Sequence, residues 1–332
     1  MSRCAEPPPF RPRGLLANAH LQSMLTSSPW RKRRVGRRSA AYRAAALREV
    51  VSTPGGVHLL GYRGRPAEPN GALAVMLHGW EGSSDSNYLL DSAVALDRAG
   101  FETFRLNFRD HGDSHHLNPG LFHSCRLQEV LEAVGVLAAA HDGPVFLVGF
   151  SLGGNFALRV ARHAPAAGIA LDRVVAVSPV IRPKHVLAAL AAGLPVYEQY
   201  FVRKWRRSLR RKQRLWPERY NLADWFRHRR LADQTRHLVD DYTEFPDMDA
   251  YLEGYSIAGD FLAGLAVSSL VVTAADDPII PIADFEALPR PEAMELEILA
   301  RGGHCGFLAN WRLESWIEQR IVSDLCQHLT RA

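Results

Sequence analysis

The feature that most constrains this chain is Gly149-Phe-Ser-Leu-Gly153, because of what flanks it. Pro144-Val-Phe-Leu-Val148 before it reads as a short apolar strand, and Gly154-Asn-Phe-Ala-Leu-Arg-Val160 after it reads as a helix. A serine between glycines at a strand-to-helix junction implies a turn so sharp that the serine backbone is strained. Its hydroxyl is then pushed out above the sheet edge. The motif alone has little weight, since roughly one chain in ten of this length would hold it by chance at ordinary glycine and serine usage. The context gives it force.

Strands and helices alternate around this turn. Residues 47–51 and 57–62 flank Pro54-Gly55-Gly56 as a hairpin. Residues 73–77, 101–108, 145–150, 174–178, 268–275 and 295–300 read as strands, and 87–98, 123–140, 152–163 and 311–329 as helices. Apolar strands separated by helices of this length predict an α/β fold, a mainly parallel sheet covered on both faces. The alternation breaks near Arg182, and residues 183–262 are helical in pattern, rich in Arg, Trp and Tyr. The expected organisation is an N-terminal extension packing on the core (1–40), a first core part (41–182), a helical cap insertion (183–262) and a second core part (263–332).

Composition narrows the class. With 47% hydrophobic and 23% charged residues the chain fits a soluble globular protein. No stretch approaches the ~18–20 apolar residues of a membrane span, and the N-terminus lacks the apolar core of a secretory signal. Cys4, Cys125, Cys305 and Cys326 are widely scattered, which suggests free thiols and a cytoplasmic location. The net charge of +5 is local: residues 31–38 and 203–214 carry fourteen Lys/Arg, and removing them leaves the rest at −9. The two runs read first as solvated surface, and Arg203–Arg214 also as a face for peripheral contact with anionic membrane. Nucleic acid is not an expected partner, because no binding module or regular aromatic pattern accompanies the charge.

An exposed serine becomes a nucleophile when a base lies within hydrogen-bond reach and an acid orients that base. In such a sheet the partners follow in the order Ser, Asp/Glu, His at the carboxyl ends of later strands. One strand ends in Asp276-Asp277-Pro278 and the next in Gly303-His304, which points to Ser151, Asp277 and His304, with Asp276 as the alternative acid. The oxyanion donors would be the backbone N–H groups of Leu152 and Trp80, with Gly79 letting the backbone approach and His78 holding the loop. Arg109-Asp-His-Gly-Asp-Ser-His-His116 could supply metal ligands but reads better as a polar loop at the site rim. His228 and Asp233 form an H-x4-D spacing that chance explains.

With these residues placed, the chain resembles the YheT-like branch of the α/β-hydrolases. The marks are Asn18-Ala-His-Leu-Gln-Ser23, His78-Gly-Trp-Glu-Gly-Ser83, Asn107-Phe-Arg-Asp-His-Gly-Asp-Ser114, Gly149-Phe-Ser-Leu-Gly-Gly-Asn155 and Asp276-Asp-Pro278. The resemblance implies an α/β-hydrolase fold and a serine hydrolase of short- to medium-chain carboxylic, acylglycerol or lipid esters. Its triad falls on Ser151, Asp277 and His304, and no matched motif implies a metal or organic cofactor. Two other readings stay open. One is acyl transfer to an alcohol through the same residues; the other is a non-catalytic protein docking on membrane or partner. If His304 kept an ordinary histidine pKa, activity would rise with pH through about 6–7.

Overall fold

The computed structural model describes residues 4–329, so residues 1–3 and 330–332 of the expected first and last segments lie outside it. After one helical turn at Gly14–Ala17, the helices α1 (Ala19–Thr26), α2 (Pro29–Arg38) and α3 (Ala40–Ala45) lead into the hairpin β1 (Leu47–Ser52) and β2 (His58–Gly64). Alternation follows through β3 (Leu73–Leu77), α4 (Asn87–Arg98), β4 (Glu102–Leu106), α5 (Leu127–Ala139), β5 (Val145–Phe150), α6 (Leu152–His163) and β6 (Arg173–Val177). Between β6 and the next strand lie α7 (Pro183–Ala192), α8 (Pro195–Leu215), α9 (Leu231–Tyr242) and α10 (Met248–Glu253). The chain closes with β7 (Ser269–Ala274), α11 (Ile282–Glu286), β8 (Met294–Leu299) and α12 (Trp316–Leu329).

The strands form one eight-stranded sheet in the order β1-β2-β4-β3-β5-β6-β7-β8. The β1–β2 and β2–β4 pairs are antiparallel and the later pairs parallel. Along β3, Leu73, Val75 and Leu77 join the core built with α5 and α6, while Ala74 and Met76 join the core built with α4 and α12. Both faces are covered, which is why these strands are apolar throughout rather than alternating. From β3 the chain winds outward to β4 and then crosses back to β5. The winding direction reverses there, and the loops leaving the carboxyl ends of β3 and β5 diverge to open a crevice.

Three sequence expectations change. Within residues 1–40, expected as a draped extension, 19–38 are largely helical: Ser28 caps α2 by accepting from the Arg31 N–H, and Pro29 opens it. The basic runs are not wholly solvated either. Arg31 is fully buried against Asp91 and Glu318, and Lys212 is fully buried with its Nζ 2.6 Å from Asp110. Lys212 also donates to the carbonyls of Asn118 and Gly120, so a cation of the inserted helices is a rivet into the core. Finally, Cys4 and Cys326 form a disulfide, overturning the expectation of four free thiols and with it the cysteine argument for a cytoplasmic location. Their 322-residue separation hid the pair, since the first segment folds back along α12, where Phe10 packs on Trp316 and the Trp316 indole donates to the Pro8 carbonyl. No helix among the described residues is long and apolar enough to cross a membrane.

Candidate active site

Ser151 occupies the β5–α6 junction with φ +54° and ψ −117°, a region a non-glycine residue enters only when its surroundings force it. The glycines on either side explain how. A Cβ at Gly149 would collide with the Gly153 carbonyl oxygen, and one at Gly153 with the carbonyl oxygens of Leu77 and His78. The start of α6 is therefore pressed against the end of β3, and a Cβ added at Gly79 would lie 3.2 Å from the Ser151 Cβ.

That approach brings two unpaired backbone donors beside the serine. In the loop after β3 the N–H groups of Gly79, Glu81, Gly82, Ser83, Ser84, Asp85 and Ser86 all find acceptors, from the Tyr88 hydroxyl to the Asn107 side chain. Trp80 alone in this stretch has none among the described residues. The N–H of Leu152, in the first turn of α6, is likewise free of any described acceptor. Buried N–H groups seldom go unpaired, and Trp80 and Leu152 both line the cavity that Ser151 lines. His78 is fully buried and holds the loop through both nitrogens, Nδ1 to the Gly79 carbonyl and Nε2 accepting from the Phe108 N–H.

The remaining groups arrive from β7 and β8. His304 Nε2 is 3.0 Å from Ser151 Oγ, and His304 Nδ1 is 2.8 Å from Asp277 Oδ2. A carboxylate only accepts, so the proton on the Asp277 side belongs to Nδ1, which leaves Nε2 free to accept from the serine. Asp277 is fixed in turn, its other oxygen accepting from the N–H groups of Ile279 and Ile280. Asp276, the alternative acid, instead accepts from the Gly303 N–H and steadies the histidine loop. Burial works against a charge on His304, but the Asp277 carboxylate outweighs it, with Cys305 Sγ 3.9 Å away adding to the effect. The result is a pKa well above the ordinary histidine value, which corrects the expectation of an inflection near 6–7.

Several supports were invisible in the sequence. The His304 N–H donates to Ser23 Oγ on α1, and Gln22 clamps the same loop by bonding both the carbonyl and the N–H of Leu308. From α8, Lys204 Nζ donates to the Glu81 carbonyl, one residue beyond Trp80. The Asn18–Ser23 stretch marks the place of the first pair, but nothing in it says that it props a loop 281 residues away. The polar 109–116 loop turns out to be scaffold: Arg109 pairs with Glu129, Asp110 with Lys212, and His111 bridges the Arg109 carbonyl and the Glu81 N–H. His228 pairs with His237 and Asp233 with Arg236, so that H-x4-D spacing unites nothing.

Over the serine lies a cavity of about 100 Å³. Its wall includes Trp80, Val186, Leu187, Phe201, Trp205 and Leu238, most of them from the inserted helices. Trp80 is not a reacting group but part of an aromatic stack, parallel to Phe201 at 5.2 Å and edge-on to Trp205 at 5.1 Å.

Among solved structures the chain is similar to an esterase of Pyrococcus furiosus, with a TM-score of 0.57 at 13% identity over 86% of this chain and 90% of that one. It is also similar to Est1E of Butyrivibrio proteoclasticus bound to ferulic acid, with 0.55, 16%, 86% and 100% respectively. An esterase of Exiguobacterium antarcticum gives 0.51, 14%, 86% and 100%. Identities this low speak for the fold alone. No curated protein matches the chain in sequence. Residues 75–310, however, match the family model of the alpha/beta hydrolase fold, which takes in the crevice, the inserted helices and all three residues Ser151, Asp277 and His304. The chain belongs to the α/β-hydrolase fold family.

Proposed function

We propose that the chain is a serine hydrolase of carboxylic esters, of the YheT-like branch, working through Ser151, His304 and Asp277. The single observation that carries this reading is the hydrogen-bonded line Ser151–His304–Asp277, with steps of 3.0 and 2.8 Å, opening beneath an apolar cavity. Ser151 Oγ attacks the ester carbonyl carbon while Nε2 of His304 takes its proton. The charge that develops on the carbonyl oxygen meets the N–H groups of Trp80 and Leu152. Collapse expels the alcohol, protonated by His304, and leaves an acyl group on Ser151. His304 then deprotonates a water that attacks the acyl carbon, and the acid leaves. Asp277 keeps the imidazole in the tautomer this cycle needs.

The cavity sets the acyl class. A cavity near 150 Å³ takes up benzene, so this one has room for about four to six carbons. Hydrolysis of a p-nitrophenyl ester series from two to twelve carbons should peak at four to six. Ser151→Ala should lose activity by about 10⁴-fold or more. Equal rates in wild type and variant would end the proposal.

The surface of α8 supports a second, compatible role. Arg203, Arg207, Arg210 and Arg214 are exposed and recur at helical spacing on one face. We infer peripheral contact of this stripe with anionic membrane. Sedimentation with anionic vesicles should fall when the four are changed to Gln, and should weaken with salt. Unchanged sedimentation would sink it.

A further inference from the structure

We propose that His123 determines specificity by offering a ring nitrogen to an uncharged oxygen, carbonyl or hydroxyl, carried on the acyl chain of the substrate. The inference rests on the hydrolase reading for the identity of the cavity as an acyl site, but its argument is independent of the reacting residues.

His123 lines the same cavity as Ser151. It is only 5% exposed, yet neither of its nitrogens makes a hydrogen bond among the described residues, and Nδ1 is fully sheltered. Among the described buried histidines only His115, with Nδ1 unpaired and Nε2 on Ser208, comes near it. His78 and His111 are equally buried and each engages both nitrogens. Other polar groups of the wall are committed as well: Thr235 donates to the Leu231 carbonyl, and the Tyr251 hydroxyl accepts from the Ser124 N–H. A buried imidazole without partners is costly, and a space-filling role would be served better by Phe or Leu. Nε2, which unlike Nδ1 keeps accessible surface, is the nitrogen that can take a partner arriving from the cavity.

The ring is held where it can act. His123 was expected to open α5, but that helix starts at Leu127, because the preceding turn is pinned from two sides. Arg159 of α6 donates to the Ser124 carbonyl at 2.8 Å, and Tyr251 of α10 holds the Ser124 N–H. Phe245 and Tyr251 meet the imidazole edge-on. Its surroundings also keep it uncharged. Burial, then the guanidiniums of Arg126, Arg109 and Arg159, push its pKa down to about 3. A neutral imidazole offers one N–H and one lone pair, suited to a ketone or an alcohol. Arg159 itself forms no ion pair among the described residues and donates to the carbonyls of Ser124 and Gly254, so the local field favours an electron-rich oxygen.

A site built to hydrogen-bond a substrate group can reject the analogue lacking it by large factors, up to about 10⁴. The test compares p-nitrophenyl esters of hexanoate with 5-oxohexanoate, and of pentanoate with 4-oxopentanoate, on wild type, His123→Phe and His123→Gln. The expected result is at least a tenfold higher kcat/KM for one oxo ester over its alkyl partner in wild type. The preference should vanish in H123F and survive in part in H123Q, which keeps a donor and an acceptor. Calorimetry with hexanamide and 5-oxohexanamide on Ser151→Ala reads the same contact without turnover. If no ester is hydrolysed, the hydrolase reading fails and the amide pair alone decides about His123. Oxo and alkyl ligands that behave alike in wild type, or a preference unchanged in H123F, would overturn the proposal and mean that a bound water satisfies the ring.

Discussion

At Ser151 the backbone is held at φ +54° by neighbours that have no side chains to yield, so the strain belongs to the glycines as much as to the serine. Asp277 does comparable work for His304. The ion pair 2.8 Å long raises the histidine pKa well above 6.5 against the pull of burial. The sign has a consequence for stability. A histidine whose folded pKa is raised contributes stability fully below its unfolded value, and that contribution is lost as pH rises through the folded value. On the proposed mechanism, which needs an uncharged His304, the protein is most reactive where this pair no longer stabilises it. The profile of kcat/KM should rise with pH to an inflection above 6.5. In Asp277→Asn the inflection should move down and kcat should fall by about 10⁴-fold. An inflection that stays put in the variant would mean that another group titrates. Which of the two adjacent aspartates would face the histidine was readable from Asp-Pro-x-x-Pro turn chemistry; the upward shift was not, because it depends on a distance between loops.

The elements divide into those the sequence announces and those it hides. Strands β3 and β5 fall on their expected bounds, and β6, β7 and β8 within a residue, because an apolar run between turn formers leaves little choice. The helices α1–α3 were missed for a definite reason. Among the ten residues of α2 only Arg31 and Val35 are buried, so no apolar stripe marks it, and its inward contact is an ion pair. Yet these helices matter to the candidate site, since α1 carries Gln22 and Ser23 against the histidine loop. Gln22 is fully buried and also donates to the Leu16 carbonyl, tying the first segment to that loop. Gln22→Ala would leave the Leu308 N–H and carbonyl unpaired at about 1–3 kcal/mol each. Urea denaturation should show a loss of about 2–4 kcal/mol, and kcat should drop while KM changes little. A variant as stable and as active as wild type would show that α1 is merely packed there.

Across the whole molecule one topological fact organises the candidate site: the sheet reverses its winding between β3 and β5. The crevice there receives the Trp80 loop from one strand and Ser151 from the other, while β7 and β8 deliver Asp277 and His304 from farther along the same edge. Alternating strands and helices made this arrangement legible. The roof was not, since residues 183–262 announce helices but not that Lys212 would be buried on Asp110 or that Phe201 would stack on Trp80. Nor was the Cys4–Cys326 bond, which joins the two ends of the chain. The most direct test of the central claim is reaction of the intact protein with an alkyl fluorophosphonate, followed by peptide mass spectrometry. One phosphonyl group per chain, attached to Ser151, absent in Ser151→Ala and formed far more slowly in His304→Ala, is the predicted result. An adduct on another residue, or an unlabelled protein, would contradict it.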